Sequence, residues 1–552
     1  MRLRASLLSL LLPAVLAQKV TISNGEIQGG GCPSSAANFY HSIPFARPPV
    51  GDLRFAAPQP YVQRYNGTLN GTRSAPTCIQ FNEQFGEPEP WSEDCLFLNV
   101  WTPRNASGCS KLPVKVWVYG GSNLAGGISN ALYDGCNSAE DAIVVAINYR
   151  LGPLGFLGLE KAGLSGNFAV QDLLLGLRWV QENIEAFGGD PVSWPWSDAM
   201  RGADQRQRKV LLFGQSAGAA LSYTISTLPE APSLISAVAA ESGGGRGAAT
   251  YAEAQPYFET FAKNLGCPLD SLTCLRSKSA SDLIAAMPSE SAKAVTLAYS
   301  KGFATTIDGA VILADPAKVG TRVPAIFGST AADGSMFTLS AYQNNFPPTE
   351  ANYTYFVASN FGPYASVVER YYPISRFANI SSPSLAPYFA MTAIWTHASY
   401  ICSAYRGLKK AEENGISAYA YVWDIAPSCP WSRGLDARIM KLMGATHTSE
   451  IPYVFRNTEH LPRPNGTCAF SAGEKEVGDQ IASAWTAMAK EQAPDSPALP
   501  GSWPAFRSNQ TEGMMFGSDG AAAGKIDYSF CELWDRITAA LASDGNMTAT
   551  PH

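Results

Sequence analysis

Short apolar, β-branched runs alternate with helical patterns along this chain of 552 residues. Lys115-Val-Trp-Val-Tyr119, Ala142-Ile-Val-Val-Ala-Ile147 and Lys209-Val-Leu-Leu-Phe213 are continuous apolar stretches ending in Gly or polar turns, the pattern of strands buried on both faces. Ala325-Ile-Phe327 and Ala418-Tyr-Ala-Tyr-Val-Trp423 read the same way. Between them, Asp172 to Ile184 carries Leu173, Leu174, Leu177, Trp179, Val180 and Ile184 at helical spacing. Strand, helix, strand in series predicts an α/β fold: a large, mostly parallel sheet with helices on both faces. The length allows roughly three or four average domains. No repeat, low-complexity tract or charged linker divides the chain, so one large α/β domain over residues 18–552 is expected.

Composition narrows the class. Apolar residues are 46% and charged residues 16%, which excludes a disordered chain. The net charge is −6 with no Lys/Arg cluster, so nucleic acid is not an expected partner. The basic start Met1–Arg4, the apolar run Leu7–Leu16 and the small residues up to Ala17 predict a signal peptide over 1–17 and a secreted, extracellular product. That run is too short for a membrane span and contains Pro13, so integral membrane association is not expected. Asn-x-Ser/Thr sequons at Asn66, Asn70, Asn105, Asn352, Asn379, Asn465, Asn509 and Asn546 fit an exported glycoprotein. The 11 cysteines then read as disulfides, with one left over. No CxxC or His-x-x-x-His spacing occurs, so no metal site is expected.

The chemistry centres on Phe213-Gly-Gln-Ser216-Ala-Gly218, a G-x-S-x-G between a predicted strand and a helix-compatible run. There the turn projects the serine above the sheet, and the N–H of Ala217 points at the same spot. A serine nucleophile needs a base, and the base an orienting carboxylate, in the chain order Ser, acid, His. The chain has 5 histidines. That order discards His41. His447, in the Gly-led turn Gly444-Ala-Thr-His-Thr-Ser-Glu-Ile451, is the candidate base; His397 lies in an apolar helical stretch, His460 in a polar proline-rich loop, and His552 ends the chain. Asp333, just after the strand at 325–327, is the candidate acid, with Asp308, Asp315 and Glu350 as competitors. Gly121 and Ser122, after the strand at 115–119, join Ala217 as candidate oxyanion donors.

These residues sit among longer motifs. Ile43-Pro-Phe-Ala-Arg-Pro-Pro-Val-Gly-Asp-Leu-Arg-Phe55, Glu93-Asp-Cys-Leu-Phe-Leu-Asn-Val-Trp101, Asn148-Tyr-Arg-Leu-Gly-Pro-Leu-Gly-Phe156, Gly166-Asn-Phe-Ala-Val-Gln-Asp172 and Phe187-Gly-Gly-Asp-Pro191 follow one another in order. Over nearly the whole chain they resemble the type-B carboxylesterase/lipase, or cholinesterase-like, family of α/β-hydrolases. Gln215 before the serine is similar to fungal secreted members. The resemblance implies an α/β-hydrolase fold with Ser216 as nucleophile, Asp333 as acid and His447 as base. It also implies a small-molecule or lipid ester as substrate and no cofactor. Asp333 stands where the family usually has Glu, and Ser122 where it has a third oxyanion-loop glycine. The resemblance further implies disulfides Cys78–Cys95, Cys267–Cys274 and Cys402–Cys531. Closeness in sequence suggests Cys109–Cys136 and Cys429–Cys468, leaving Cys32 unpaired. A triacylglycerol lipase and a non-catalytic binding module are the alternative functions, and the oligomeric state stays open.

One segment departs from the pattern. Val192 to Gln207 separates Asp190-Pro191 from Arg208-Lys209-Val210, although deleting it would leave an ordinary family sequence. Val-Ser can be encoded GTGAGT and Gln can be CAG, the two ends of an intron. We expect a retained intron that bulges from the fold with few contacts.

Overall fold

In a computed structural model of the protein, residues 19–82, 86–88, 90–191, 209–289, 294–297 and 302–543 are described. The expected signal peptide, Asn546, His552 and the segment 192–207 lie outside them.

The predicted strands form the middle of an 11-stranded sheet. In chain order its strands are β1 (Gly30–Gly31), β2 (Ala37–Pro44), β3 (Phe97–Pro103), β4 (Val114–Val118), β5 (Ile143–Ile147), β6 (Val210–Gln215), β7 (Ala237–Glu241), β8 (Ala325–Thr330), β9 (Ala418–Trp423), β10 (Glu512–Gly517) and β11 (Gly520–Lys525). Across the sheet they run β11-β10-β9-β8-β7-β6-β4-β5-β3-β2-β1. From β5 to β10 every pairing is parallel, and the flanking pairs are antiparallel. Every residue of β4 to β9 is buried, which is why these strands read as unbroken apolar runs.

Helices cover both faces. They include α1 (Phe168–Asn183), α2 (Ala217–Thr227), α3 (Gly334–Tyr342), α4 (Ala386–Trp395), α5 (Cys402–Glu413), α6 (Ala472–Glu491) and α7 (Cys531–Ser543). The helix expected from Asp172 begins earlier, at Phe168, because Asp172 is an interior residue. Its buried carboxylate receives Arg150 Nε at 2.8 Å and Nη2 at 2.7 Å. Two family-like motifs are joined in the same way: Glu93 accepts from Arg54 Nε at 2.7 Å.

Disulfides join Cys78–Cys95, Cys267–Cys274, Cys402–Cys531 and Cys429–Cys468, as expected. The pairing of Cys109 with Cys136 is corrected. Cys136 is bonded to Cys32, and Cys109 is the exposed free thiol. The turn after Cys32 lies on the Cys136 segment, where Ser35 Oγ donates to the Cys136 carbonyl at 2.8 Å. A bridge spanning 104 residues is invisible to an argument from closeness in sequence.

Candidate active site

Ser216 ends β6 and begins α2 with φ 58° and ψ −123°, a conformation that costs a non-glycine residue of order 1–3 kcal/mol. Its N–H is held by the Glu241 carbonyl of β7 at 2.8 Å. The flanking glycines serve close approach rather than a special φ. A Cβ on Gly218 would lie 2.1 Å from the Val118 carbonyl oxygen, and one on Gly214 2.6 Å from the same atom. The strained angle belongs to the serine itself.

The loop after β4 arrives beside it. A Cβ on Gly120 would stand 2.9 Å from Ser216 Cβ. Gly121 has φ 108°, and Ser122 takes φ 58°, the strained angle expected where a glycine is replaced. Among the described residues, no hydrogen bond uses the N–H of Gly121, Ser122 or Ala217, so all three donors are free for a ligand.

Asp333 and His447 meet behind the serine. Ala332 N–H donates to the Ala445 carbonyl at 2.9 Å, joining the turn after β8 to the turn that carries His447. His447 Nδ1 then lies 2.6 Å from Asp333 Oδ1. The other carboxylate oxygen accepts from Thr330 N–H and Ser242 Oγ, each at 2.9 Å. Asp333 is fully buried, and this set of donors compensates its charge. With Nδ1 turned to Asp333, Nε2 is the ring nitrogen left for a nucleophile. Gln215 Nε2 lies 3.3 Å from it, and among the described residues Ser216 Oγ makes no hydrogen bond to it. Such contacts are often loose without substrate.

The competitors are occupied elsewhere. Asp308 Oδ1 takes the N–H groups of Ala310, Val311 and Ile312, and Asp315 caps a short helix through Ala317 N–H. Glu350 opens an exposed helix turn. His397 Nδ1 pairs with the Tyr372 hydroxyl at 2.8 Å and its ring stacks on Phe530. Burial pushes both His397 and His41 down to about 4. His460 is exposed.

Sequence reasoning missed the groups behind these three residues. Glu450, three residues after His447, is fully buried, with the Gln215 side chain as the polar group beside its carboxylate. Burial, with Glu241 and Asp333 nearby, pushes it far above the usual carboxylate range. Glu241 accepts from Trp485 Nε1 at 2.8 Å through one oxygen and leaves the other unpartnered; burial raises it to about 8. Glu450 was within the quoted motif, but its burial was not readable there. Among the described residues no His/Cys/Asp/Glu group is arranged to hold a metal ion.

A strained serine at a strand-to-helix turn over a mostly parallel sheet, with a carboxylate–histidine pair behind it, defines an α/β-hydrolase. The carboxylesterase family profile matches residues 17–534. The chain is 31% identical to the fumonisin B1 esterase of Sphingopyxis macrogoltabida over 86% of this chain and 82% of that one. It is 30% identical to the para-nitrobenzyl esterase of Bacillus subtilis over 91% and 95%. A crystal structure of a Geobacillus stearothermophilus carboxylesterase superposes with a TM-score of 0.74 at 26% identity, covering 94% of this chain and 99% of that one. The chain therefore belongs to the carboxylesterase family and is a carboxylic ester hydrolase.

Proposed function

We propose that the protein is a secreted carboxylesterase working through a Ser216 acyl-enzyme. The observation that carries this reading is the strained Ser216 at the strand-to-helix turn beside the glycine loop after β4, with His447 and Asp333 paired at 2.6 Å. Ser216 Oγ attacks the ester carbonyl as His447 Nε2 takes its proton, and the negative charge forms on the carbonyl oxygen. The N–H groups of Gly121, Ser122 and Ala217 receive that oxyanion. His447 returns the proton to the departing alcohol; water, deprotonated by His447, then cleaves the acyl-serine. Asp333 fixes the ring and stabilises the imidazolium.

Secretion is supported by the leader-like start and by five disulfides, which persist in oxidising compartments. Among the described residues no helix is long and apolar enough to cross a membrane. Kinship with fungal secreted members rests on Gln215. Ser216→Ala should lower kcat/KM on p-nitrophenyl acetate by several orders of magnitude and leave the thermal unfolding unchanged. An organophosphate should add to Ser216; labelling of another residue with loss of activity would overturn the assignment.

A further inference from the structure

The loop leaving β7 carries a buried cation close to the triad. Gly243, Gly244 and Gly245 bring this loop against the nucleophile: a Cβ on Gly243 would lie 2.3 Å from the Ser216 carbonyl oxygen. Arg246 follows and is 9% exposed. Its Nη2 donates to the Ser399 carbonyl at 3.1 Å, and its guanidinium carbon lies 5.0 Å from the centre of the Tyr400 ring. Tyr400 in turn lies 4.9 Å from the His447 ring, and Phe337 packs on both. Arg246 is thus within about 10 Å of the catalytic base. Ser399 and Tyr400 belong to a π-helical turn, Thr396–Ile401, a form that occurs often at functional sites.

No carboxylate among the described residues pairs with Arg246; its guanidinium also hydrogen-bonds the Tyr400 side chain, and its Nε is left without a partner. The two acids that touch this loop are committed elsewhere. Asp333 serves His447, Ser242 and Thr330, and Asp315 takes two backbone N–H groups. A buried cation without an anion is costly, and contact with a neutral tyrosine offsets only part of that cost.

We infer that Arg246 is a specificity residue that receives a free carboxylate on the ester substrate, a few methylene groups from the scissile carbonyl. The inference rests on Ser216 being the nucleophile and names the substrate class of that site. A guanidinium suits a carboxylate because its planar fork matches the two oxygens. The carboxylate belongs either to the acyl part, as in a half-ester of a dicarboxylic acid, or to the alcohol part, as in an acylated hydroxy acid.

The test compares kcat/KM in two arms. One sets mono-p-nitrophenyl adipate against p-nitrophenyl hexanoate; the other sets the acetate of ω-hydroxyhexanoate against hexyl acetate. Arg246→Gln should lower the rate on the anionic member of one arm by roughly 10- to 100-fold, and leave both neutral esters within about twofold. The arm that responds identifies the part of the ester bearing the charge. Equal losses on charged and neutral esters, or no loss at all, overturn the inference. Should the variant fail to fold, adipate must inhibit the unmodified enzyme competitively against p-nitrophenyl hexanoate while hexanamide does not; no inhibition by adipate overturns it as well. An enzyme that cleaves the neutral esters but neither anionic one sinks this inference alone. One that cleaves none of the four and takes no organophosphate sinks the Ser216 reading with it.

Discussion

At the scale of the residue, the site concentrates costs that the rest of the fold must sustain. Ser216 holds a strained φ, Glu241 is a buried carboxylate with one unpartnered oxygen, and Glu450 is a second buried acid. Glu241 gives these costs a pH signature. In the unfolded chain it ionises near 4.5, whereas in the fold it stays protonated up to about 8. The stability that the protonated form supports is complete below about pH 4.5 and is lost as the pH rises to about 8. Glu241→Gln keeps the shape and cannot ionise. Its melting temperature relative to the unmodified protein should therefore rise by several degrees between about pH 5 and about pH 9. A pH-independent difference would show that Glu241 is ionised in the fold. Ser216, Asp333 and His447 could be singled out in the sequence because a local motif and a chain order constrain them. Ser242, Glu241 and Arg246 could not be, because their contacts are with residues tens to hundreds of positions away: Asp333, Trp485 and Tyr400.

At the scale of the element, the parallel strands were legible because burial on both faces demands unbroken apolar residues. The antiparallel edge from β1 to β3 was not, since Gly30–Gly31 and Ala37–Pro44 mix small, polar and aromatic residues. The motifs that carried the family resemblance are largely scaffold here: Arg54 clasps Glu93, and Arg150 clasps Asp172. The G-x-S-x-G is also a packing device, which makes Gly218 a sharp test. Its missing Cβ faces the Val118 and Tyr119 carbonyl oxygens at 2.1 Å and 2.5 Å, and β4 cannot retreat without loosening its register with β6. Gly218→Ala should cost about 3 kcal/mol or more in urea unfolding, the upper range for overpacking. A loss below about 1 kcal/mol would mean that β4 shifts freely. The sequons differ by their local structure too. Asn66, Asn105, Asn379, Asn465 and Asn509 are exposed, whereas Asn352 is half-buried and its side-chain oxygen accepts the Thr349 N–H and hydroxyl in a helix cap. Glycopeptide mapping of protein secreted from a eukaryotic host should find Asn352 the least occupied of these six sites; full occupancy there would show that the cap opens before folding is complete.

At the scale of the whole molecule, the test is what the fold can lose. The residues flanking 192–207 stand side by side without it. Asp190 N–H donates to the Leu112 carbonyl at 2.9 Å, and the Lys209 carbonyl accepts Val114 N–H at 2.7 Å, so the two stems are fixed two residues apart at the start of β4. Lys209 Nζ also reaches Asp190 Oδ2 at 3.0 Å. Pro191 and Lys209 are therefore close enough for Arg208 alone to join them, since one residue between two others spans up to about 7 Å. Replacing a long connection by a short one reduces the entropy lost on loop closure. Deleting residues 192–207 should thus leave the melting temperature the same or higher. It should also leave kcat/KM on p-nitrophenyl acetate within about twofold, because the β6 pairings that set Ser216 begin only at Val210. A deletion variant that folds but loses activity would assign the segment a role at the site. A mature transcript that retains the codons for Trp194 and Trp196 would refute its origin as an intron.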